Sequence, residues 1–185
     1  MPMNVKPVPA LDNEINEIRL ATAEIVNKEI LPNEGRLWGA VSNSANEQNE
    51  IAREAKALRR EVQEKVKHAK LWAPHLPREF GGMGLSFLQH AYMNEVLSYS
   101  PGAASLFGVV APNSGNQKIL VQYGTPEQHE KWLKPLTDGT MQSGFSMTEP
   151  HTPGSDPRSL STRAVLEGDE WVINGQKVWT TQGHH

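Results

Sequence analysis

Cysteine does not occur in the 185 residues. That absence removes disulfides, thiolate nucleophiles and thiolate metal sites together, and it is compatible with a reducing compartment. No apolar run approaches the ~18 residues a bilayer crossing needs. The first residues, MPMNVKPVPALDNE, reach Asp12 and Glu14 without an apolar signal core. The expectation is a soluble, cytoplasmic chain with no membrane span. Blocks of like charge are also lacking. Eighteen Lys and Arg against 21 Asp and Glu leave a net charge of -3 with the signs interleaved, so nothing asks for nucleic acid.

Several chemical signatures are incomplete. His184 and His185 have no carboxylate or third histidine beside them, so no metal site is expected. Ser143-Gly144 and Gly154-Ser155 lack the strand, nucleophile and helix setting of a catalytic serine. The run Gly81-Gly82-Met83-Gly84 neither follows a strand nor opens a Rossmann helix at the required spacing, and reads as a loop.

What is present is mostly helical periodicity. Leu11, Ile15, Ile18, Ile25 and Val26 predict a helix over 11–31, N-capped by Asp12 and ended by Pro32. Residues 33–46 read as a loop. Ile51, Ala55, Leu58, Val62, Val66 and Ala69 form an apolar stripe opposite a charged face bearing Arg53, Lys56, Arg59 and Arg60, a solvated helix surface. Residues 72–84, rich in Pro and Gly, must be irregular. Ser86 and Gln89 then make a capping box, with Leu88, Ala91, Tyr92 and Val96 as the expected buried stripe and Glu95 as a candidate buried acid. A helix from Pro101 toward Pro112 follows. Another runs from Ser114 to Gly124 with Ile119, Leu120 and Tyr123 inward. Thr125-Pro126-Glu127-Gln128 supplies N-cap, N1 proline and box partner in four residues, and Gly139 closes that last helix.

From Met141 the period changes to two. Met141, Phe145 and Met147, and later Leu160, Thr162, Ala164 and Leu166, alternate as strands do. Gly168-Asp169 marks one turn, and Asn174-Gly175 predicts a hairpin pairing Val172-Ile173 with Val178-Trp179. The sequence thus predicts a mainly α N-terminal domain over residues 1–140, followed by an incomplete, truncated antiparallel β segment over 141–185. So small a sheet piece is not expected to be stable without a partner layer or more chain.

These residues also carry a resemblance. Asn113-Ser114-Gly115-Asn116, Tyr123-Gly124-Thr125-Pro126-Glu127-Gln128, Trp132-Leu133-Lys134-Pro135-Leu136, Gly139, Phe145-Ser146-Met147-Thr148-Glu149-Pro150, Ser155-Asp156 and Lys177-Val178-Trp179-Thr180-Thr181 follow one another in register. Over roughly residues 50–185 the chain resembles the acyl-CoA dehydrogenases. The stretch from Thr148 to Asp156 is one residue longer than the family's commoner loop, and is more similar to the branch acting on long or unusual acyl chains.

The resemblance implies a helical domain, a middle β-barrel and a C-terminal four-helix bundle, with FAD held between the last two. It implies removal of the α-proton of an acyl-CoA thioester by a glutamate, while the β-hydrogen leaves as hydride to the flavin. That glutamate usually lies in the C-terminal bundle, which is absent from this sequence, so no residue here is nominated as catalytic and this chain is expected to be inactive alone. Phe145, Met147, Thr148, Ser155, Trp179, Thr180 and Thr181 are implied as FAD-binding. Ser155 is implied also to touch the acyl-CoA, and Glu149 to be a structural acid of the flavin loop. A homo-oligomer is implied for the full-length protein, and the electron acceptor, an electron-transfer partner or oxygen, stays open. Two alternatives remain at this stage: a non-catalytic helical interaction module, and a flavin monooxygenase or nitroalkane oxidase of the same superfamily.

Overall fold

The computed structural model describes residues 2–38 and 45–183, with backbone only at 45–47. Among them the helices lie between Asn13 and Asp138, and beyond Asp138 come irregular backbone, a 3-10 turn at Pro157–Ser159 and a single two-stranded sheet.

Helix α1 spans Asn13–Ile25, and the Asp12 carboxylate accepts the Ile15 N–H at 2.8 Å. Pro32 does not end the helical path. The backbone widens into a π turn at Val26–Ile30, closed by the Leu31 N–H on the Val26 carbonyl, then tightens into a 3-10 turn at Leu31–Asn33. Pro32 therefore falls in the first turn of a new segment, where a missing N–H leaves no carbonyl unpaired. Helix α2 (Glu34–Trp38) follows directly and buries Leu37, so residues 33–38, expected in a loop over 33–46, are helical; residues 39–44 lie outside the described ones. Helix α3 (Ala45–His68) starts before Ile51 and buries Ala55, Val62 and Val66, as its stripe requires.

Residues 69–86 are irregular yet central. Leu71, Trp72, Ala73 and Leu76 are buried among Val26, Ile30, Val62 and Val66. The loop stays compact because its glycines admit backbone: a Cβ on Gly82 would collide with the Leu76 carbonyl oxygen. That close approach is the structural use of the glycine run. Helix α4 (Phe87–Leu97) opens with the Ser86/Gln89 capping box and packs against α1. Its inward side is Met93, Val96 and Leu97. Leu88, expected inside, is 62% exposed, because the first turn stands clear of the core. Glu95 is exposed as well; it pairs at 3.3 Å with Arg19, the buried partner, which also donates to the Lys6 carbonyl.

The helix expected from Pro101 shrinks to α5 (Ala103–Leu106), because Gly108 takes φ +76° where a helix would continue. A cis Ala111–Pro112 peptide leads into α6 (Asn113–Tyr123). Here the periodicity reading inverts. Ile119 and Tyr123 are 49% and 73% exposed, while Asn113 and Gln117 are buried. Polar side chains turn inward on this helix because each finds hydrogen-bond partners there. Helix α7 (Pro126–Gln128) starts at the Thr125/Gln128 box. A π turn at His129–Leu133 joins it to α8 (Lys134–Asp138), which ends on Gly139 at φ +78°.

Beyond α8, residues 141–149 are extended but form no ladder among the described residues. Strands β1 (Arg163–Glu167) and β2 (Glu170–Asn174) pair antiparallel around Gly168-Asp169, from Glu167 opposite Glu170 to Arg163 opposite Asn174. All ten strand residues are exposed. The second hairpin, expected at Asn174-Gly175, is not formed. Val178 donates its N–H to the Thr148 carbonyl at 2.9 Å instead, so the chain after β2 returns along residues 146–149.

Candidate functional site

Glu149 organises the region where the extended segments meet. It is 4% exposed. Its Oε2 accepts the Ser161 N–H at 2.8 Å and the Ser161 hydroxyl at 2.7 Å; its Oε1 accepts the Thr162 N–H at 2.8 Å and the Lys177 ammonium at 2.9 Å. Hydrogen bonding from Thr162 first, then from Ser161 and Lys177, holds its carboxyl well below the usual carboxylate range. A carboxylate so saturated is a poor proton acceptor. Glu149 is therefore a clamp that ties the Thr148-Glu149-Pro150 turn to residues 161–162 and to Lys177, whose Nζ also donates to the Met147 carbonyl at 2.9 Å.

The clamp brings two segments side by side. Thr148 accepts from Val178, and the Ser146 and Thr180 hydroxyls stand 3.1 Å apart. The open flank of Gly144 faces the Thr181 carbonyl and the Thr180 methyl. Residues 144–148 and 177–183 thus form one ledge carrying six of the seven residues singled out in sequence: Phe145, Met147, Thr148, Trp179, Thr180 and Thr181. Ser155 is exposed on the turn closed by the Asp156 N–H on the Pro153 carbonyl, one residue past Gly154, which packs against Thr148.

The chemistry of this ledge fits a flat heteroaromatic group with a polar edge. Phe145 is 53% and Trp179 88% exposed, the latter held at φ +59°, a conformation unusual for a bulky residue. Half-buried Met147 and the hydroxyls of Ser146, Thr148 and Thr180 sit beside them, and the Gln182 side-chain oxygen is buried without a partner. An apolar wall with hydroxyl and amide groups along it is what an isoalloxazine ring requires.

Sequence reasoning passed over four residues that shape this region. Lys177 lies inside the quoted motif, but its contact with Glu149 depends on the chain returning after β2. Asn113 and Asn116 also lie in a quoted motif; the signal was their i, i+3 spacing at a helix start. Gln182 had no signal.

Elsewhere, a groove of about 1290 Å³ runs between α1, residues 69–85 and the 126–138 helix. No group of three or more His, Asp or Glu arranged to hold a metal occurs among the described residues, and no described helix is long and apolar enough to cross a membrane.

Comparison with known proteins gives the frame. Residues 12–140 match the model of the acyl-CoA dehydrogenase N-terminal domain, and residues 144–185 that of the middle domain. Acyl-CoA dehydrogenase family member 10 of Mus musculus is 40% identical over 126 residues, 65% of this chain and 12% of that protein. The mitochondrial short-chain specific acyl-CoA dehydrogenase of Homo sapiens is 38% identical over 113 residues, 60% of this chain and 26% of that one. Among solved structures, an acyl-CoA dehydrogenase complexed with FAD from Bacillus anthracis superimposes with a TM-score of 0.62 at 25% identity, over 92% of this chain and 27% of that one. The chain spans well under half the length of each of these relatives. With the N-terminal model covering most of its residues and the middle-domain model covering the ledge, the chain belongs to the acyl-CoA dehydrogenase family.

Proposed function

We propose that this chain is the N-terminal portion of an FAD-dependent acyl-CoA dehydrogenase, contributing the helical domain of residues 1–140 and the first part of a middle β-domain from residue 141. The ledge built from 144–148 and 177–183 is one wall of the flavin site. What supports this reading is the Glu149–Lys177 clamp and the Ser146–Thr180 contact, which hold the segment carrying exposed Phe145 against the segment carrying exposed Trp179.

In this reading FAD, when bound, supplies the two-electron acceptor for α,β-dehydrogenation of an acyl-CoA thioester. The chain's own residues bind and orient. Trp179 and Phe145 cover apolar surface of the ring and exclude water, and Thr148, Thr180 and Thr181 offer hydroxyls and backbone groups to its polar edge. Exposed Ser155 has its hydroxyl free to contact both flavin and acyl-CoA, the role the family resemblance implies. Glu149 moves no proton, because its lone pairs are already occupied. The similar curated proteins are named as acyl-CoA dehydrogenases, which supports the dehydrogenase over a monooxygenase or nitroalkane oxidase of the same superfamily.

The test is to add FAD and then acyl-CoA thioesters of graded chain length, anaerobically, to the protein carrying this chain, and to follow the visible flavin absorbance. Binding followed by bleaching with at least one acyl length is expected. Binding of FAD without bleaching at any length overturns the dehydrogenase reading.

A second reading has its own observation. The β1–β2 hairpin exposes Val165, Leu166, Trp171, Val172 and Ile173, together with both strand edges, a surface suited to adding strands or a covering layer. A helical module that associates through this hairpin would be folded, flavin-free and oligomeric.

A further inference from the structure

We infer that Asn113 and Asn116, in the first turn of α6, are positioning residues for the flavin-facing ledge: they set the register of residues 142–144 and so the placement of Phe145 and of the segment beside it. This rests on the flavin reading of the ledge given above.

The segment entering the ledge has little else to hold it. Residues 141–145 join no ladder, and Met141, Gln142, Gly144 and Phe145 are exposed. An open, mostly apolar hollow of about 300 Å³ lies between α6, Trp132, Leu136 and this segment, with Asn116, Met141 and Ser143 in its lining, so the segment is not closely packed there. Hydrogen bonds from α6 hold it. Asn113 Oδ1 accepts both the Ser143 N–H and the Ser143 hydroxyl, each at 2.8 Å, and its Nδ2 donates to Gln142 Oε1 at 2.8 Å. Asn116 Nδ2 donates to Ser143 Oγ at 2.9 Å and to the Gly144 carbonyl at 3.1 Å.

The two amide orientations follow from their partners. A backbone N–H must meet an oxygen and a carbonyl must meet a donor, so Oδ1 of Asn113 and Nδ2 of Asn116 are the atoms that face the strand. The Ser143 hydroxyl receives from Asn116 and donates to Asn113, closing a directed relay across three side chains. Backbone atoms on two consecutive residues are gripped, which fixes translation along the strand as well as distance from the helix. One residue further on, Phe145 is the first side chain of the ledge, and the open flank of Gly144 faces Thr180 and Thr181. A slip at 143–144 therefore moves both sides of the site.

Gln117, the next residue on α6, provides the control. It is buried and donates to the Leu136 carbonyl at 2.9 Å, binding α6 to α8 without touching the ledge.

The experiment compares wild type, Asn116→Ala, Ser143→Ala and Gln117→Ala in the protein carrying this chain. FAD affinity, the position of the bound-flavin absorbance band, amide hydrogen exchange over 142–149 and Tm are measured for each. Asn116→Ala is expected to weaken FAD binding about tenfold, the loss of roughly one net hydrogen bond, to shift the flavin band and to speed exchange at 142–149. Ser143→Ala, which removes a single oxygen and leaves the backbone intact, should shift these readouts the same way by a smaller factor. Gln117→Ala should lower Tm while leaving flavin affinity and band position in place. A wild type that binds FAD with both ledge variants unchanged overturns the inference and leaves the flavin reading standing. Equal flavin effects from Gln117→Ala reduce the asparagines to general stabilisers and also overturn it. A wild type that does not bind FAD overturns the flavin reading itself, and the inference with it.

Discussion

Lys177 Nζ lies 2.9 Å from Glu149 Oε1, joining residues 28 positions apart, with the carboxylate side chain 3% and the lysine side chain 23% exposed. Removing one partner from such a pair leaves the other unsatisfied in a sheltered place. Glu149→Ala strands the Ser161 and Thr162 amides and the Ser161 hydroxyl and leaves the Lys177 ammonium only the Met147 carbonyl. The expected outcome is faster amide exchange across 146–149 and 177–181, with the helical residues unaffected. Uniform protection in the variant would show that the clamp is dispensable.

The same clamp has an acid limit. Glu149's carboxyl is depressed below its unfolded value of about 4.5, so its contribution is fully present above that pH and declines as pH falls through the folded value. Order in the ledge should hold to about pH 4.5 and loosen below it, read by exchange or near-ultraviolet circular dichroism. Glu149→Gln should flatten that acid response.

His75 also responds to acidification, but from a higher pH. Gln117 spends its Nε2 on the Leu136 carbonyl, so its oxygen faces His75 Nε2 at 2.9 Å, and that nitrogen carries the proton. His75 Nδ1 is buried with no partner. A second proton would have no acceptor there; burial, with nearby His90 and Lys118, pushes the ring below its ordinary value of about 6.5. The unfolded chain binds the extra proton first, so stability should fall as pH drops below about 6.5. His75→Gln should reduce that slope in urea midpoints; an unchanged slope would contradict the assignment.

Trp72 donates its indole N–H to the Thr137 carbonyl at 2.7 Å, beneath the Lys67 ammonium 4.9 Å from the ring centre. Trp72→Phe keeps an aromatic ring but leaves a buried carbonyl unpaired, which costs about 1–3 kcal/mol. The urea midpoint should fall with the m-value unchanged.

Trp179 separates function from stability. At 88% exposure its truncation should change folding stability by no more than about 0.5 kcal/mol. Trp179→Ala should nevertheless weaken FAD binding. A stable variant with wild-type flavin affinity would remove Trp179 from the site.

Much of this molecule was legible from sequence, for local reasons. Asp12, the Ser86/Gln89 box and the Thr125/Gln128 box mark helix starts because capping is decided within four residues, and all three form. The Gly168-Asp169 turn and the change of period after Met141 are local as well. The order of the sequence motifs is itself that of the family. What only the tertiary structure decided are matters of partnership between distant residues. Pro32 could not reveal that a π turn upstream lets the helix continue past it. The apolar spacing of α6 could not show that Asn113 and Gln117 face inward, since polar burial depends on carbonyls and amides supplied by residues 136 and 143. Lys177 meets Glu149, and the Thr180 hydroxyl meets that of Ser146, only because the chain after β2 abandons hairpin pairing for the Thr148 carbonyl. Short-range chemistry set the elements; long-range hydrogen bonding set which of their side chains share the ledge.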